Sequence, residues 1–450
     1  MTTKSQTQTQ TSTLKNSPLN KTEHMKTGAN STKNNPKETY RILADGIMIS
    51  NDTTRTHINN NDMIIGPTGS GKTRYYCKPN IMQANESMII TDTKGVLYEE
   101  MAYSLEKAGY RVLRLDFDNV RNSCGYNPFD YIHRDSKDKF SEKDILTMAS
   151  CLVPLECTKD PYWELAGQFL ISSVIAFLLE FCKKEDWNIS SMMRLFRETA
   201  TDTKMRGANS SYQLLIKELE KKHPDSFAVK QYKMADCTAE KTASCVRSIC
   251  ASHLRSLDFD GIHQIVNNPK KVDLKAFGRR KCALFVNVSD TDRSMDCLVN
   301  LFYTQALHVL CYEADHCFRN HRLTVPVRFY FDDFAASTFI PDFDKIISVI
   351  RSRNIAVSVI LQSISQLEHL YGSAASATIL NGCDTMLYLG GQDVQTSNWV
   401  AQKANCPLGD VLYMPLDKAY LFVRGNRPKI VSKYDLTHHP KYPEVREAVV

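Results

Sequence analysis

Met63-Ile64-Ile65-Gly66-Pro67-Thr68-Gly69-Ser70-Gly71-Lys72-Thr73 decides how this chain is read, because an apolar strand runs directly into the pattern G-x-x-x-x-G-K-[ST]. Each residue type in that pattern has a mechanical reason. Gly66, Gly69 and Gly71, with Pro67, Thr68 and Ser70 between them, form a loop whose backbone N–H groups can close around phosphate oxygens. The helix expected to follow adds its positive N-terminus. Lys72 would reach the β- and γ-phosphates of a nucleotide, and the Thr73 hydroxyl would bind Mg²⁺. ATP and Mg²⁺ are therefore the ligands that residues 66–73 imply.

A phosphate loop of this kind needs a further carboxylate on the metal side. The run Val327-Arg328-Phe329-Tyr330-Phe331 reads as a strand and ends in Asp332-Asp333. Asp332 is the expected Mg²⁺ partner, and Asp333 stands where a carboxylate can polarise an attacking water. The plainer alternative is that both acids cap the next helix. A third group follows at the end of another apolar run, Val357-Ser358-Val359-Ile360-Leu361-Gln362. A polar residue there can sense the γ-phosphate, since ligands bind outside the carboxyl ends of parallel strands. Alone, Gln362 could equally be a strand terminator.

Around these motifs, short apolar runs recur at 63–65, 88–91, 112–115, 283–288, 327–331, 356–361, 386–389 and 420–423, with helical periodicity between most of them. That alternation predicts an α/β fold with a mostly parallel sheet covered on both faces. It lapses between 161 and 268, where helices are expected at 163–182, 191–198, 212–223 and 242–256, an all-α insertion in the α/β domain. The chain is expected to divide into a disordered polar tail over 1–40, a first nucleotide-binding part over 41–160, the all-α domain over 161–270 and a second nucleotide-binding part over 271–450.

Of a formal net charge of +6, the six Lys and two Glu of residues 1–40 carry +4, so any nucleic-acid surface on the body must be local. The most apolar run, 165–179, is fifteen residues long against the roughly 20 a spanning helix needs, and reads as a buried helix. Fourteen cysteines without a C-x-x-C pair read as reduced thiols. His308, Cys311, His316, Cys317 and His321 lie among core-type leucines and read as packing, with zinc ligation as the alternative.

In this order the motifs resemble those of the type IV coupling proteins of conjugation and secretion, the TraG/TraD-like ATPases. The likeness spans about residues 42–442 and includes Asp92-Thr93-Lys94-Gly95, Tyr126-Asn127-Pro128, Phe331-Asp332-Asp333-Phe334-Ala335, Ile340-Pro341-Asp342-Phe343, Ile350-Arg351-Ser352-Arg353, Leu361-Gln362-Ser363 and Cys383-Asp384-Thr385. The resemblance implies a RecA-like motor interrupted by an all-α domain, assembled as a homo-hexamer similar to ring-forming DNA translocases. It implies DNA, mainly single-stranded and without sequence preference, as substrate, a relaxase–DNA complex as cargo, and secretion-channel membrane proteins as partners. It also implies an arginine completing the site of a neighbouring subunit. Arg351 best matches that position, with Arg353 as the alternative and a helix C-terminal cation as the plain reading.

Three departures stand out. The family carries transmembrane helices ahead of the motor, and none is read here, so the expectation is a cytoplasmic protein recruited by a partner to the inner face of the cell membrane. Asp333 replaces the family's usual Glu, withdrawing the carboxylate by roughly 1.5 Å. Val96 stands where the motif has Glu. The competing expectations are a HerA- or FtsK-like translocase outside conjugation, and a nucleotide-gated cargo adaptor with weak hydrolysis.

Overall fold

The computed structural model describes residues 25–27, 38–155, 161–200, 209–235, 240–334 and 339–445. Among these, twelve strands form two sheets. Three of them, β1 (Met25–Thr27), β2 (Tyr40–Ala44) and β3 (Ile47–Ser50), make a small antiparallel sheet ordered β1-β3-β2. The rest are β4 (Asp62–Ile65), β5 (Ser87–Asp92), β6 (Arg111–Asp116), β7 (Cys282–Asn287), β8 (Val327–Phe331), β9 (Ile355–Leu361), β10 (Thr385–Tyr388), β11 (Lys418–Val423) and β12 (Lys429–Ser432). They form one sheet ordered β12-β11-β10-β4-β9-β8-β5-β7-β6. Every neighbouring pair from β10 to β6 is parallel, and β11 and β12 are added antiparallel at one edge. This is the expected α/β class with a mostly parallel sheet.

Each of the eight apolar runs read from the sequence lies in a strand of this sheet, displaced by no more than one or two residues. The reason is burial on both faces: β4, β5, β7, β8, β9 and β10 are buried at every position. Met63, Ile65, Phe329, Phe331, Val357 and Val359 point into the larger core, while Ile64, Tyr330 and Ile360 point into the smaller one. Between β6 and β7 the described residues hold no strand of the sheet. They hold helices, among them Tyr162–Phe181, which packs against Glu142–Leu152, Phe227–Met234 and Glu240–Leu254. By length and composition Tyr162–Phe181 could cross a membrane, yet 67% of its apolar window is buried inside the protein.

Of residues 1–40, expected to be a disordered tail, 25–27 pair with β3 and Tyr40 opens β2; the remainder up to residue 37 lies outside the described residues. The two-strand ribbon β2–β3 was not read from the sequence. It docks on the helix Lys78–Gln83, where Asn80 exchanges hydrogen bonds with both the N–H and the carbonyl of Ile42, each 2.8 Å. Two histidines of the 308–321 cluster go to separate partners: ring nitrogens of His316 and His321 face the carbonyls of Tyr312 (3.0 Å) and Asp315 (2.7 Å).

The smaller core contains an ionic network. Arg328 in β8, fully buried, pairs with Glu86 just before β5 and with Asp62 at the start of β4 (3.3 Å), and it donates to Ser358 Oγ in β9 (3.1 Å). Asp62 also pairs ionically with Arg41 of β2 (2.8 Å) and accepts from the Tyr76 hydroxyl (2.6 Å). One guanidinium thus ties four adjacent strands together, near the amino ends of β4, β5 and β8 and at the middle of β9. Removing one partner of a buried pair strands the other charge, at about 3–5 kcal/mol. Arg328→Ala is therefore expected to cut stability by that amount, measured as a lower midpoint for urea unfolding of the nucleotide-free protein. A loss below about 1 kcal/mol, the range of an exposed ion pair, would contradict this role.

Candidate nucleotide site

The site lies where the carboxyl ends of three adjacent strands meet. The β4–β9 register places Ile65 opposite Leu361, and the β8–β9 register places Phe331 opposite Val359. The residues that follow these strand ends, Gly66, Gln362 and Asp332, are thereby brought together although Gly66 and Gln362 are 362 − 66 = 296 positions apart in sequence. A hydrogen bond from the Gly66 N–H to the Leu361 carbonyl (3.1 Å) fixes the start of the loop.

Within the loop, Gly71 has φ +86°, and a Cβ there would meet the Tyr75 ring at 2.2 Å, so no other residue fits. Lys72 is buried, and its Nζ donates to the carbonyls of Gly66 (2.8 Å) and Pro67 (3.2 Å) across the loop. It lies 4.0 Å from Asp333 Oδ1. Thr73 donates its hydroxyl to Asp332 Oδ2 at 2.9 Å, and Gln362 Nε2 donates to Asp333 Oδ1 at 3.3 Å. Asp333 itself has φ +49°, the left-handed region few non-glycine residues occupy. The loop, Thr73, Asp332, Asp333 and Gln362 thus converge on one point.

These residues fit a nucleotide and a hard cation. Ser70 Oγ is buried within the loop without a hydrogen-bond partner among the described residues, an orphan that an anion's oxygen would satisfy. Thr73 and Asp332 present two adjacent oxygen ligands, the donor type Mg²⁺ prefers. Burial, and then the neighbouring charge of Asp333, push the Asp332 carboxyl up to about 6.

Arg351 is not at this point. It sits in the turn Ile350–Arg353 before β9 and donates to the Thr53 carbonyl at 3.3 Å. The seven residues of β9, at about 3.3 Å each, separate it from the nucleotide end of the sheet by roughly 20 Å. Arg353 is held in a two-pronged pair with Asp315, Nε at 2.8 Å and Nη2 at 2.7 Å.

The motif 92–95 has a local job. Asp92 is buried at the end of β5 and accepts from the Tyr98 N–H (2.9 Å), capping the helix Val96–Lys107, whose first residue Val96 is exposed. Glu at 96 would add a favourable first-turn charge, so its absence bears on a helix terminus rather than on phosphate. Sequence reading missed Lys433. It follows β12, donates to the Ser70 carbonyl at 3.2 Å and lies 5.4 Å from the centre of the Tyr75 ring. Nothing in its sequence surroundings marks it, because only the return of the last strand brings it to the loop.

Comparison with known proteins fits this geometry. The family model described as "Type IV secretory system Conjugative DNA transfer" matches residues 7–404. The plasmid coupling protein TrwB in complex with ADP and Mg²⁺ superposes with a TM-score of 0.65 at 15% identity, over 91% of this chain and 93% of that one. The unbound monoclinic form of TrwBdeltaN70 gives 0.63 at 15% identity over 88% and 89%. VirB4 of Thermoanaerobacter pseudethanolicus gives 0.51 at 13% over 90% and 98%. At these identities the structural likeness establishes the fold. No curated protein sequence matches significantly.

The raised Asp332 carboxyl has a measurable consequence. A folded-state value of about 6 against an ordinary 3.8 means the folded, nucleotide-free protein holds a proton more tightly than the unfolded chain. Its stability from this group is full below pH 4 and declines as pH rises to about 6. Asp332→Asn removes that decline, so at pH 7 the variant should unfold about 2–3 kcal/mol harder in the absence of nucleotide. It should at the same time lose Mg²⁺-dependent nucleotide binding. Unfolding curves at pH 4 and pH 7, with and without MgATP, check both halves.

Proposed function

The chain belongs to the type IV secretory system conjugative DNA transfer family, and from that premise we propose that it is an ATP-driven coupling protein that brings a relaxase–DNA complex to a secretion channel and helps pass the DNA through. The single observation that carries the ATPase reading is the convergence of Lys72, Thr73, Asp332, Asp333 and Gln362 at three neighbouring strand ends. A bound Mg²⁺ would neutralise developing phosphate charge. Thr73 and Asp332 would hold it, and Lys72 would exchange the loop carbonyls for β- and γ-phosphate oxygens. Asp333 would orient the attacking water and take up its proton, with the Gln362 amide fixing that carboxylate and reporting the γ-phosphate. Excluding bulk water from this pocket strengthens each of these contacts.

The roughly 20 Å between Arg351 and its own site favours a role toward a neighbouring subunit, and the Asp315 clamp on Arg353 favours Arg351 over it. We take residues 41–160 and 271–450 as the motor and 161–270 as the all-α cargo-facing domain of a homo-hexamer. It would act in the cytoplasm at the inner membrane face, on mainly single-stranded DNA without sequence preference.

The test is ATP turnover by the purified full chain with and without single-stranded DNA. Stimulation by DNA that disappears in Lys72→Ala is expected. Tight ATP binding without turnover would instead support a nucleotide-gated adaptor. Arg351→Ala should leave ATP binding intact and lower hydrolysis by about 10³–10⁵. Mixing it with a hydrolysis-dead Asp332→Ala chain should restore activity, since a mixed ring contains intact composite sites. Demonstrably mixed rings without restored activity would exclude Arg351 as the shared residue.

A further inference from the structure

The helix Ile364–Asn381 is broken inside by Gly372, at φ 75° and ψ 164°. That backbone region is essentially restricted to glycine, and persists where the surrounding structure imposes it. Space is not the reason for glycine here, because a Cβ would meet nothing within 4 Å. The conformation is the requirement. Ser376 Oγ donates to the Leu367 carbonyl across the break (2.9 Å), fastening one half of the helix to the other.

Both chain segments that reach the break start at the nucleotide site. The first half of the helix begins two residues after Gln362, with Ser363 Oγ accepting from the Gln366 N–H (3.3 Å) as its cap. It ends at Tyr371, next to the break. From the other side, Phe334 follows Asp333 directly and stacks on the Tyr371 ring, centroids 5.8 Å apart and planes at 9°. Phe339 stacks on the same ring at 5.1 Å. The Tyr371 hydroxyl accepts from the Ile340 N–H (2.9 Å) and donates to the Ile340 carbonyl (3.3 Å). Phe334 is further wedged against Phe331 and Phe343, at 5.2 and 4.9 Å. The contacts form a closed circuit: Asp333, Phe334, Tyr371, the half-helix, Gln362, and back through the 3.3 Å bond from Gln362 Nε2 to Asp333 Oδ1.

We propose that Tyr371, locked in place by the Gly372 break, is a positioning residue that sets the Asp333 carboxylate against the Gln362 amide, and so governs hydrolysis without governing nucleotide binding. The proposal rests on the ATPase reading above. A loop that aligned the carboxylate by itself would have no use for the φ +49° at Asp333. Here that strained residue is held from behind by Phe334, and Phe334 by Tyr371. The ring and hydroxyl contacts of Tyr371, next to Gly372, run to Phe334, Phe339, Phe343 and Ile340 rather than to Lys72 and the loop N–H groups that would supply ground-state affinity. Their effect is confined to the geometry of the water-activating pair, which matters in the transition state.

Tyr371→Phe keeps the ring stack and deletes both hydroxyl bonds. Gly372→Ala adds a methyl group to open space and changes only what the backbone tolerates. In the full chain with Mg²⁺, each variant should bind ADP within about twofold of wild type, because ground-state contacts are untouched. Affinity for ADP with aluminium fluoride, which mimics the phosphoryl group in transfer, should fall together with kcat by about tenfold to a hundredfold, the scale of a small misplacement. A merely structural role would weaken ADP and ADP–aluminium fluoride equally, and that result overturns the proposal. So does an unchanged kcat in both variants of an active wild type. A wild-type chain that neither turns over ATP nor binds ADP–aluminium fluoride more tightly than ADP overturns the ATPase reading, and the positioning role with it.

Discussion

The placement of every group in the nucleotide site depends on one buried ionic knot, Arg328 with Asp62 and Glu86. Charges in a low-dielectric interior are costly unless each finds partners. Here Asp62 accepts hydrogen bonds from Arg328 and Tyr76 and pairs with the charge of Arg41, and Arg328 also reaches Ser358 and the Asn60 carbonyl (2.9 Å). Those partners come from β2, β4, β8, β9 and the turn after Thr73. A one-residue slip of any strand would turn its charged or hydroxyl member into the opposite, purely apolar core. The knot therefore fixes the register of β4, β8 and β9 against one another. Their carboxyl ends, each three residues and so about 10 Å further along its strand, inherit that alignment.

From this follows a division of labour along the sheet. The amino ends carry the knot and Arg351; the carboxyl ends carry the phosphate loop with Asp332, Asp333 and Gln362, where Thr73–Asp332, Gln362–Asp333 and Lys72–Asp333 lie 2.9, 3.3 and 4.0 Å apart. Tyr76 joins the two, since it belongs to the turn that begins with Thr73 yet points its hydroxyl at Asp62 and at Ser358 (2.8 Å). Movement of Thr73 toward a metal is thus resisted by a buried phenol that cannot leave its partners cheaply. A rigid loop of this sort favours pre-organised phosphate binding over induced closure.

What was legible in the sequence is what local chemistry dictates. The eight strands read as short apolar runs, six of them buried at every position, announce themselves by composition, and the phosphate loop and Asp332-Asp333 announce themselves by motif. The strands β2, β3 and β12 were missed because their apolar pattern is broken: β3 and β12 are part exposed, and β2 contains Arg41, which is buried with Asp62, Asn51 and Asn60 as partners. Phe227–Met234 was missed because its Lys230, Gln231 and Lys233 blur the apolar stripe that Phe227, Ala228 and Val229 begin. Lys433 and the Tyr371–Gly372 break were illegible for another reason. Their partners, Ser70 and Ile340, are distant in sequence, and no spacing rule connects them.

The same distinction bears on the substitution of Asp333 for the family's usual Glu. Judged from sequence, a shorter side chain withdraws the carboxylate and weakens the hydrolytic reading. Judged from the fold, reach is set by the backbone as well as by the side chain, and the backbone at Asp333 is turned to φ +49°. That turn costs about 1–3 kcal/mol and needs a counterweight, which the stack of Phe331, Phe334, Phe343 and Tyr371 provides. A longer side chain and a turned backbone are two ways of meeting the same distance requirement. On this argument the substitution and the aromatic cluster belong together: relaxing the backbone while keeping Asp333 would leave the carboxylate short of the water it is proposed to orient.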